Sequence, residues 1–272
     1  MKIKSETPDK IKMSVKKKYS EISRKAGSDA CCVTDGCCSP GSNIDYTVFS
    51  DDYSGMDGYN ADADLGLGCG LPTEFATIRR GDTVVDLGSG AGNDCFVARQ
   101  ETGNSGRVIG IDMTEEMVEK AKSNASKLKY DNMEFIVGDI EEIPLEDSVA
   151  DVVISNCVLN LVPDKVKAFA EIFRILKKDG RFSISDVVVS GDLPDEIRTD
   201  AEMYAGCVAG AIKKEHYLDI VKNAGFKNIS VKKIKEIQLP DELLSKYLTS
   251  DQIKHFRSSG TGIYSITLYA EK

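Results

Sequence analysis

The junction between Thr83-Val84-Val85-Asp86 and Leu87-Gly88-Ser89-Gly90-Ala91-Gly92 constrains the fold of this chain more than any other stretch. A short β-branched run reads as a buried strand. Glycines directly after it permit a tight turn that brings main chain close to a ligand. A dinucleotide fingerprint would need glycine at 88, 90 and 93, but position 93 is Asn. The spacing is instead G-x-G-x-G, with an acid ending the strand.

The strand-then-helix rhythm repeats downstream. Strands are predicted at Arg107–Ile111, Met133–Val137, Ala150–Ile154 and Phe182–Ser185, with helices after the glycine turn to about Glu101, over Glu115–Lys127, and over 164–178. A helix near 214–224 and strands near 228–233 and 262–269 complete the pattern. Strands spaced by helices in this way build a parallel, doubly wound sheet. Asp112 and Asp139 end the second and third strands, as Asp86 ends the first. In an open parallel sheet, ligands bind at these carboxyl ends, where Asp112 is placed to accept hydrogen bonds from a ribose diol and Asp139 to read an adenine amino group.

Upstream, Thr7-Pro8 starts a helix whose apolar stripe is Ile11, Val15, Tyr19 and Ile22, amid Lys12 and Lys16-Lys17-Lys18. It reads as a basic surface helix, or more sharply as a lid over an anionic ligand. Residues 28–64 carry little periodicity and predict an irregular loop region. Three regions are expected: 1–64 as lid helix and cysteine-rich loop, 65–190 as the cofactor-binding domain, and 191–272 as a substrate-flanking region. The charge balance of 35 basic against 44 acidic residues, −9, argues against nucleic-acid or anionic-membrane partners. No apolar run approaches a membrane span, so a cytoplasmic protein is expected.

Eight cysteines stand beside only two isolated histidines, His216 and His255. Singly, each cysteine reads as a small buried hydrophobe, and Cys95 on the helix after the glycine turn fits that description. Cys69, Cys157 and Cys207 differ, because they sit in loops around one rim and two are glycine-flanked. Soft thiolates are what a soft metal or metalloid prefers. Cys31, Cys32, Cys37 and Cys38 crowd one loop, where a structural zinc site competes with a thiol-rich segment that orders on substrate binding.

The chain resembles the arsenite S-adenosylmethionine methyltransferases over roughly residues 65–226. The resemblance rests on Gly68-Cys69-Gly70, Asp86 to Asp94, Gly110-Ile111-Asp112-Met113-Thr114, Ile154-Ser155-Asn156-Cys157-Val158-Leu159-Asn160-Leu161 with Pro163-Asp164-Lys165, and Leu193 to Arg198. It implies a seven-stranded, mostly parallel class I methyltransferase sheet and S-adenosylmethionine as cofactor. The implied cofactor residues are Asp86, Gly88, Ser89, Gly90, Gly92, Asp112, Met113, Asp139, Ile140, Glu141 and Asn156. It also implies that arsenic(III), as arsenite or a thiol-bound species, is held by Cys69, Cys157 and Cys207. A fourth, redox cysteine pairs with the one in the Gly-Cys-Gly motif, and Ala30-Cys31-Cys32-Val33-Thr34 favours Cys32. A thiol reductant such as thioredoxin or a small thiol would regenerate the enzyme, whose role would be metalloid detoxification. The motifs hold no obvious general base, which suits attack by an arsenic lone pair. Other readings are a quinone- or sterol-like methyltransferase with structural cysteines and a non-catalytic arsenite-binding protein.

Overall fold

The computed structural model describes residues 7–25, 51–200, 203 and 207–272. Seven strands form one sheet: β1 (Thr83–Leu87), β2 (Arg107–Asp112), β3 (Met133–Val137), β4 (Ala150–Asn156), β5 (Leu176–Ser190), β6 (Lys227–Ile237) and β7 (Gly262–Glu271). Their order is β3-β2-β1-β4-β5-β7-β6. The first five run parallel, and β7 returns antiparallel to both β5 and β6. The order reverses between β1 and β4, the switch point at which such sheets bind ligands.

Alternation along the strands sorts the core into two layers. Val85, Leu87, Ile109, Ile111 and Val153 point to one face, where Phe169 and Ile172 of α5 (Lys165–Ile175) and Tyr217 of α7 (Lys214–Asn223) cover them. Val84, Val108, Val152 and Ile154 point to the other face. There they meet Cys95 and Phe96 of α3 (Asn93–Thr102) and Val118 and Ala121 of α4 (Glu115–Lys127). A third apolar cluster lies beyond the carboxyl ends of the strands. It joins Val187 and Val189 of β5 to Leu161, Ile197, Leu244 and Phe256, and it contains Cys69, Cys157 and Cys207.

Two local differences from the expected elements have clear causes. The helix expected to reach residue 178 ends at Ile175, because Leu176 already pairs with Ala150. The ladder resumes at Arg181 opposite Val152, so residues 177–180 form an irregularity within β5. A helix over Ser250–Ser258 was not expected. It is held by a capping box in which the Thr249 side chain accepts from the Gln252 N–H while the Gln252 side chain accepts from the Thr249 N–H.

The N-terminal helix α1 (Pro8–Lys25) packs on α4. Lys12 Nζ lies 2.6 Å from Asp139 Oδ2 and 2.5 Å from Glu141 Oε2. Arg24 pairs with Glu116 at 2.6 Å, and the Ser20 hydroxyl donates to the same carboxylate. The helix therefore places its basic side against acids of the chain itself. No helix among the described residues is long and apolar enough to cross a membrane.

Candidate active site

A cleft opens at the carboxyl ends of β1, β2 and β4. Its wall includes Gly88, Ser89, Gly90, Asp112, Met113, Ile140, Asn156 and Cys157, all singled out from sequence. Val15 and Tyr19 of α1 close one side. Gly90 holds φ +51°, and a Cβ built there would meet nothing within 4 Å, so the turn faces open space. Gly88 differs: its φ is +75° and a Cβ would strike Val158 at 2.3 Å, which requires glycine for backbone shape and for packing.

The polar groups of the cleft are partly committed. Asp112 accepts from Gly90 N–H at 3.0 Å and Thr114 N–H at 2.8 Å, which fixes its rotamer at the end of β2. Burial raises its pKa, and those two N–H groups oppose the rise. Ser89 Oγ is buried and has no hydrogen-bond partner among the described residues, while the Thr114 hydroxyl leans on Asp112 outside good hydrogen-bond geometry. A buried hydroxyl without a partner is costly, and both residues line the cleft, so the wall fits a ligand with polar groups to offer. Thr114 was not singled out from sequence; its signal would have been its place two residues after the strand-end acid.

Asp86, Gly92, Asp139 and Glu141 do not form the cleft wall. Asp86 is buried behind the turn, accepts from the Cys95 thiol at 3.2 Å, and is pushed well above the usual carboxylate range by burial and by Asp94. Gly92 is the left-handed N-cap of α3, with φ 99°. Asp139 and Glu141 hold Lys12, while their neighbours Gly138 and Ile140 line the cleft.

The three rim cysteines come together from distant stretches. Cys69 is fully buried, with its N–H donated to Asn156 Oδ1 at 3.0 Å and its carbonyl accepting from the Ser265 hydroxyl. The flanking glycines are required by space: a Cβ at 68 would lie 2.6 Å from Asn156 Nδ2, and one at 70 would lie 2.5 Å from Ser185 Oγ. Cys157 follows β4 with φ 60° and donates its N–H to Ser185 O at 2.7 Å. Cys207 also has positive φ, 64°, and its Sγ lies 2.7 Å from Cys157 O. Non-glycine residues with left-handed backbone are uncommon and collect at functional sites.

Hydrogen bonds that the Cys157 thiol donates toward the Cys207 and Cys69 sulfurs, with burial behind them, push it well above its ordinary pKa. For Cys207 the hydrogen bond with Cys157 favours the thiolate, but burial and the Asp186 charge prevail and raise its pKa. Cys157 and Cys207 are thus protonated at neutral pH, and the Cys207 thiol is turned toward the Cys157 main chain. Among the described residues no three His, Cys, Asp or Glu side chains stand in a ready metal-ligand arrangement. Beneath the trio, burial raises Asp186 to about 7, while the Tyr217 hydroxyl donates to it at 3.1 Å. Cys31, Cys32, Cys37 and Cys38 lie outside the described residues. Cys95 is buried in the core, and His216 and His255 are exposed.

The fold and the cleft at its switch point define a class I S-adenosylmethionine-dependent methyltransferase, and the family model described as a methyltransferase domain matches residues 78–225. Within that class the chain belongs to the arsenite methyltransferase family. It is 35% identical to an arsenic (III) S-adenosylmethionine methyltransferase from Chlamydomonas reinhardtii whose structure superposes with a TM-score of 0.64, covering 75% of this chain and 67% of that one. It is 42% identical over 239 residues to an arsenite methyltransferase of Halobacterium salinarum, covering 82% of this chain and 59% of the relative. With the arsenite methyltransferase of Aquipseudomonas alcaligenes it shares 36% identity over 66% of this chain and 54% of the relative. The chain thus spans a little over half the length of these two curated relatives.

Proposed function

We propose that the protein methylates trivalent arsenic, with S-adenosylmethionine in the cleft and arsenic(III) held by Cys69, Cys157 and Cys207. The observation that carries this reading is the position of Cys157. It forms part of the cleft wall and touches both other thiols, so one residue joins the cofactor space to the thiol cluster. When bound, the cofactor supplies an electrophilic methyl group on a sulfonium centre.

The chain's own groups then have distinct tasks. The Gly88–Gly90 turn and the hydroxyls of Ser89 and Thr114 receive the cofactor, and Asp112 accepts from its ribose. The acidic wall formed by Asp64, Asp94 and Asp112 suits a cationic ligand. Among the described residues no basic side chain lines the cleft, as a phosphate-bearing cofactor would require. Rotation of the thiols away from their internal hydrogen bonds presents them to arsenous acid. Condensation forms three As–S bonds and releases three waters, each made from a thiol proton and an arsenic hydroxide. Held by Cys69, Cys157 and Cys207, the arsenic would keep its lone pair free to take the methyl group. The As–C bond forms as the sulfonium S–C bond breaks and S-adenosylhomocysteine leaves, so no general base is needed. Positioning of the two reactants and exclusion of water by the third apolar cluster supply the catalysis. Each methyl transfer removes two electrons from arsenic(III), and a pair of thiols returns them on forming a disulfide. Cys32 with Cys69, or an external thiol reductant, serves that step, and methylated arsenic leaves as a detoxification product.

The test is a turnover assay with reduced protein, S-adenosylmethionine, arsenite and a thiol, followed by arsenic speciation. Many equivalents of methylated arsenic per enzyme are expected. Tight arsenite binding with no product would point to a sequestrant. Product formation on a quinone that survives loss of Cys69 and Cys157 would overturn the thiol assignment.

A further inference from the structure

Tyr53 lies in a stretch with no helical or strand periodicity, yet it is 5% exposed and its hydroxyl sits at the centre of a four-residue network. That oxygen is 2.8 Å from Asp94 Oδ1, 3.1 Å from Gly70 O and 2.6 Å from Asn156 Nδ2. With one proton to give, it donates to the carboxylate and accepts from the amide. Asn156 Nδ2 also reaches Gly70 O at 2.8 Å and Asp94 Oδ2 at 3.2 Å, while Asn156 Oδ1 accepts the Cys69 N–H. Asp94, Tyr53 and Asn156 all lie in the cleft wall, and the network ends outside it on the Cys69 N–H and the Gly70 carbonyl, the main chain on both sides of the Cys69 side chain.

We propose that Tyr53 and Asn156 are positioning residues that link Asp94 in the cofactor cleft to the Gly68–Gly70 loop, so that a cationic ligand in the cleft locks Cys69 in place. The inference rests on the reading of the cleft as the cofactor site. Burial raises the Asp94 pKa to about 6, still below neutral, so the carboxylate is charged and open to pairing with a cation. Tyr53 donates its one proton to that carboxylate and accepts one from Asn156, whose second proton is shared between Gly70 O and Asp94 Oδ2. A cation that pairs with Asp94 holds its rotamer, and with it the two side chains that fix Gly70 and Cys69. The link orders binding: with the cleft filled, the third thiol is presented in one position.

The experiment reads Cys69 directly. Reduced protein is alkylated with iodoacetamide, with and without sinefungin, a cationic cofactor analogue that transfers no methyl group. Labelling of Cys69 and Cys95 is followed by peptide mass spectrometry, and sinefungin binding by calorimetry. Cys95 is buried on α3 and reports general protection by ligand binding. In the wild type, sinefungin should slow labelling at both positions, and at Cys69 by about a further tenfold, as loss of a charge-assisted hydrogen bond would predict. In Tyr53→Phe the protection of Cys95 should persist while the extra protection of Cys69 disappears. Asp94→Asn, nearly the same shape without the charge, should bind sinefungin more weakly. Compared at concentrations that calorimetry shows to saturate each protein, it should lose the extra protection of Cys69 in the same way, which guards against a folding defect in the first variant. Equal extra protection of Cys69 in the wild type and both variants would overturn the link. Failure of the wild type to bind sinefungin would instead overturn the reading of the cleft.

Discussion

The Cys207 thiol donates a hydrogen bond to the Cys157 carbonyl oxygen at 2.7 Å, and both residues hold left-handed backbone. Residues 50 positions apart thus share one strained contact at the end of β4. Strain of this kind, of the order of 1–3 kcal/mol per residue, persists only where surrounding structure over-determines it. Here the Cys157 N–H is tied to Ser185 O, and the sulfurs sit in an apolar cluster that a serine hydroxyl could not enter without a partner. Cys157→Ser should lower arsenite methylation by about 10²-fold or more, the scale of a misplaced reactant. Cofactor affinity should stay within a factor of about two, because serine keeps nearly the same shape at this one position of the cleft wall. Calorimetry with S-adenosylhomocysteine alongside turnover separates the two. Near-normal turnover would remove Cys157 from the arsenic site.

The protonation of Cys157 and Cys207 sets part of the proton balance for arsenite binding. Two thiols whose pKa values are raised enter as S–H and leave their protons in water formed from arsenic hydroxides. These two should therefore add no net proton exchange with solvent at pH 7. If both were already ionised, hydroxide would be released and about one proton would be taken up per thiolate. Calorimetric titration of arsenite in buffers of different ionisation enthalpy measures the exchange, and uptake of two or more protons would refute the neutral pair.

Asp112 is held by two N–H groups at the end of β2, so its remaining lone pairs face the cleft in a fixed direction. Asp112→Ala removes that acceptor and also frees the Gly90 turn. Affinity for S-adenosylmethionine should fall by about tenfold or more, as expected when a hydrogen bond to a charged group is lost. Thr114→Val tests the neighbouring hydroxyl with a smaller expected loss, about threefold. Unchanged affinity in the Asp112 variant, measured by calorimetry, would take the residue out of the ribose role.

Much of this arrangement was legible because it follows from local patterns. The helix over Glu115–Lys127 falls where periodicity put it, since Met117, Val118, Ala121 and Ala125 bury one face. The strand over Met133–Val137 falls on its apolar, β-branched run although only Phe135 is buried. The glycine turn and the strand-end acid Asp112 were visible for the same reason. What escaped depends on long-range partners. Asp139 looks like a ligand-reading acid at a strand end, but its oxygen is engaged by Lys12, 127 residues away. Tyr53 sits in a stretch without periodicity, and its role arises only when Asp94, Gly70 and Asn156 are brought around it. The capping pattern at Thr249 and Gln252 was present in the sequence, but the short helix after it has only one fully buried apolar side chain, Phe256, and so little periodic signal.

Glu101 offers a test of the electrostatics away from the site. It lies in the last turn of α3, half-buried, where the helix dipole is unfavourable to an anion. Burial alone raises its pKa from the ordinary 4.5 to about 7. The folded state thus holds this proton more tightly than the unfolded state does. Between pH 4.5 and 7 unfolding releases the proton, so this group erodes stability as pH rises. Below that window the carboxyl is neutral in both states and costs little. Glu101→Gln removes the liability without changing shape. Its melting temperature should match the wild type at pH 4.5 and exceed it by about 2 °C at pH 8, where solvent access to the half-exposed group limits the gain. Thermal melts at the two pH values decide the matter: an equal shift at both would mean that packing, not ionisation, distinguishes the two side chains.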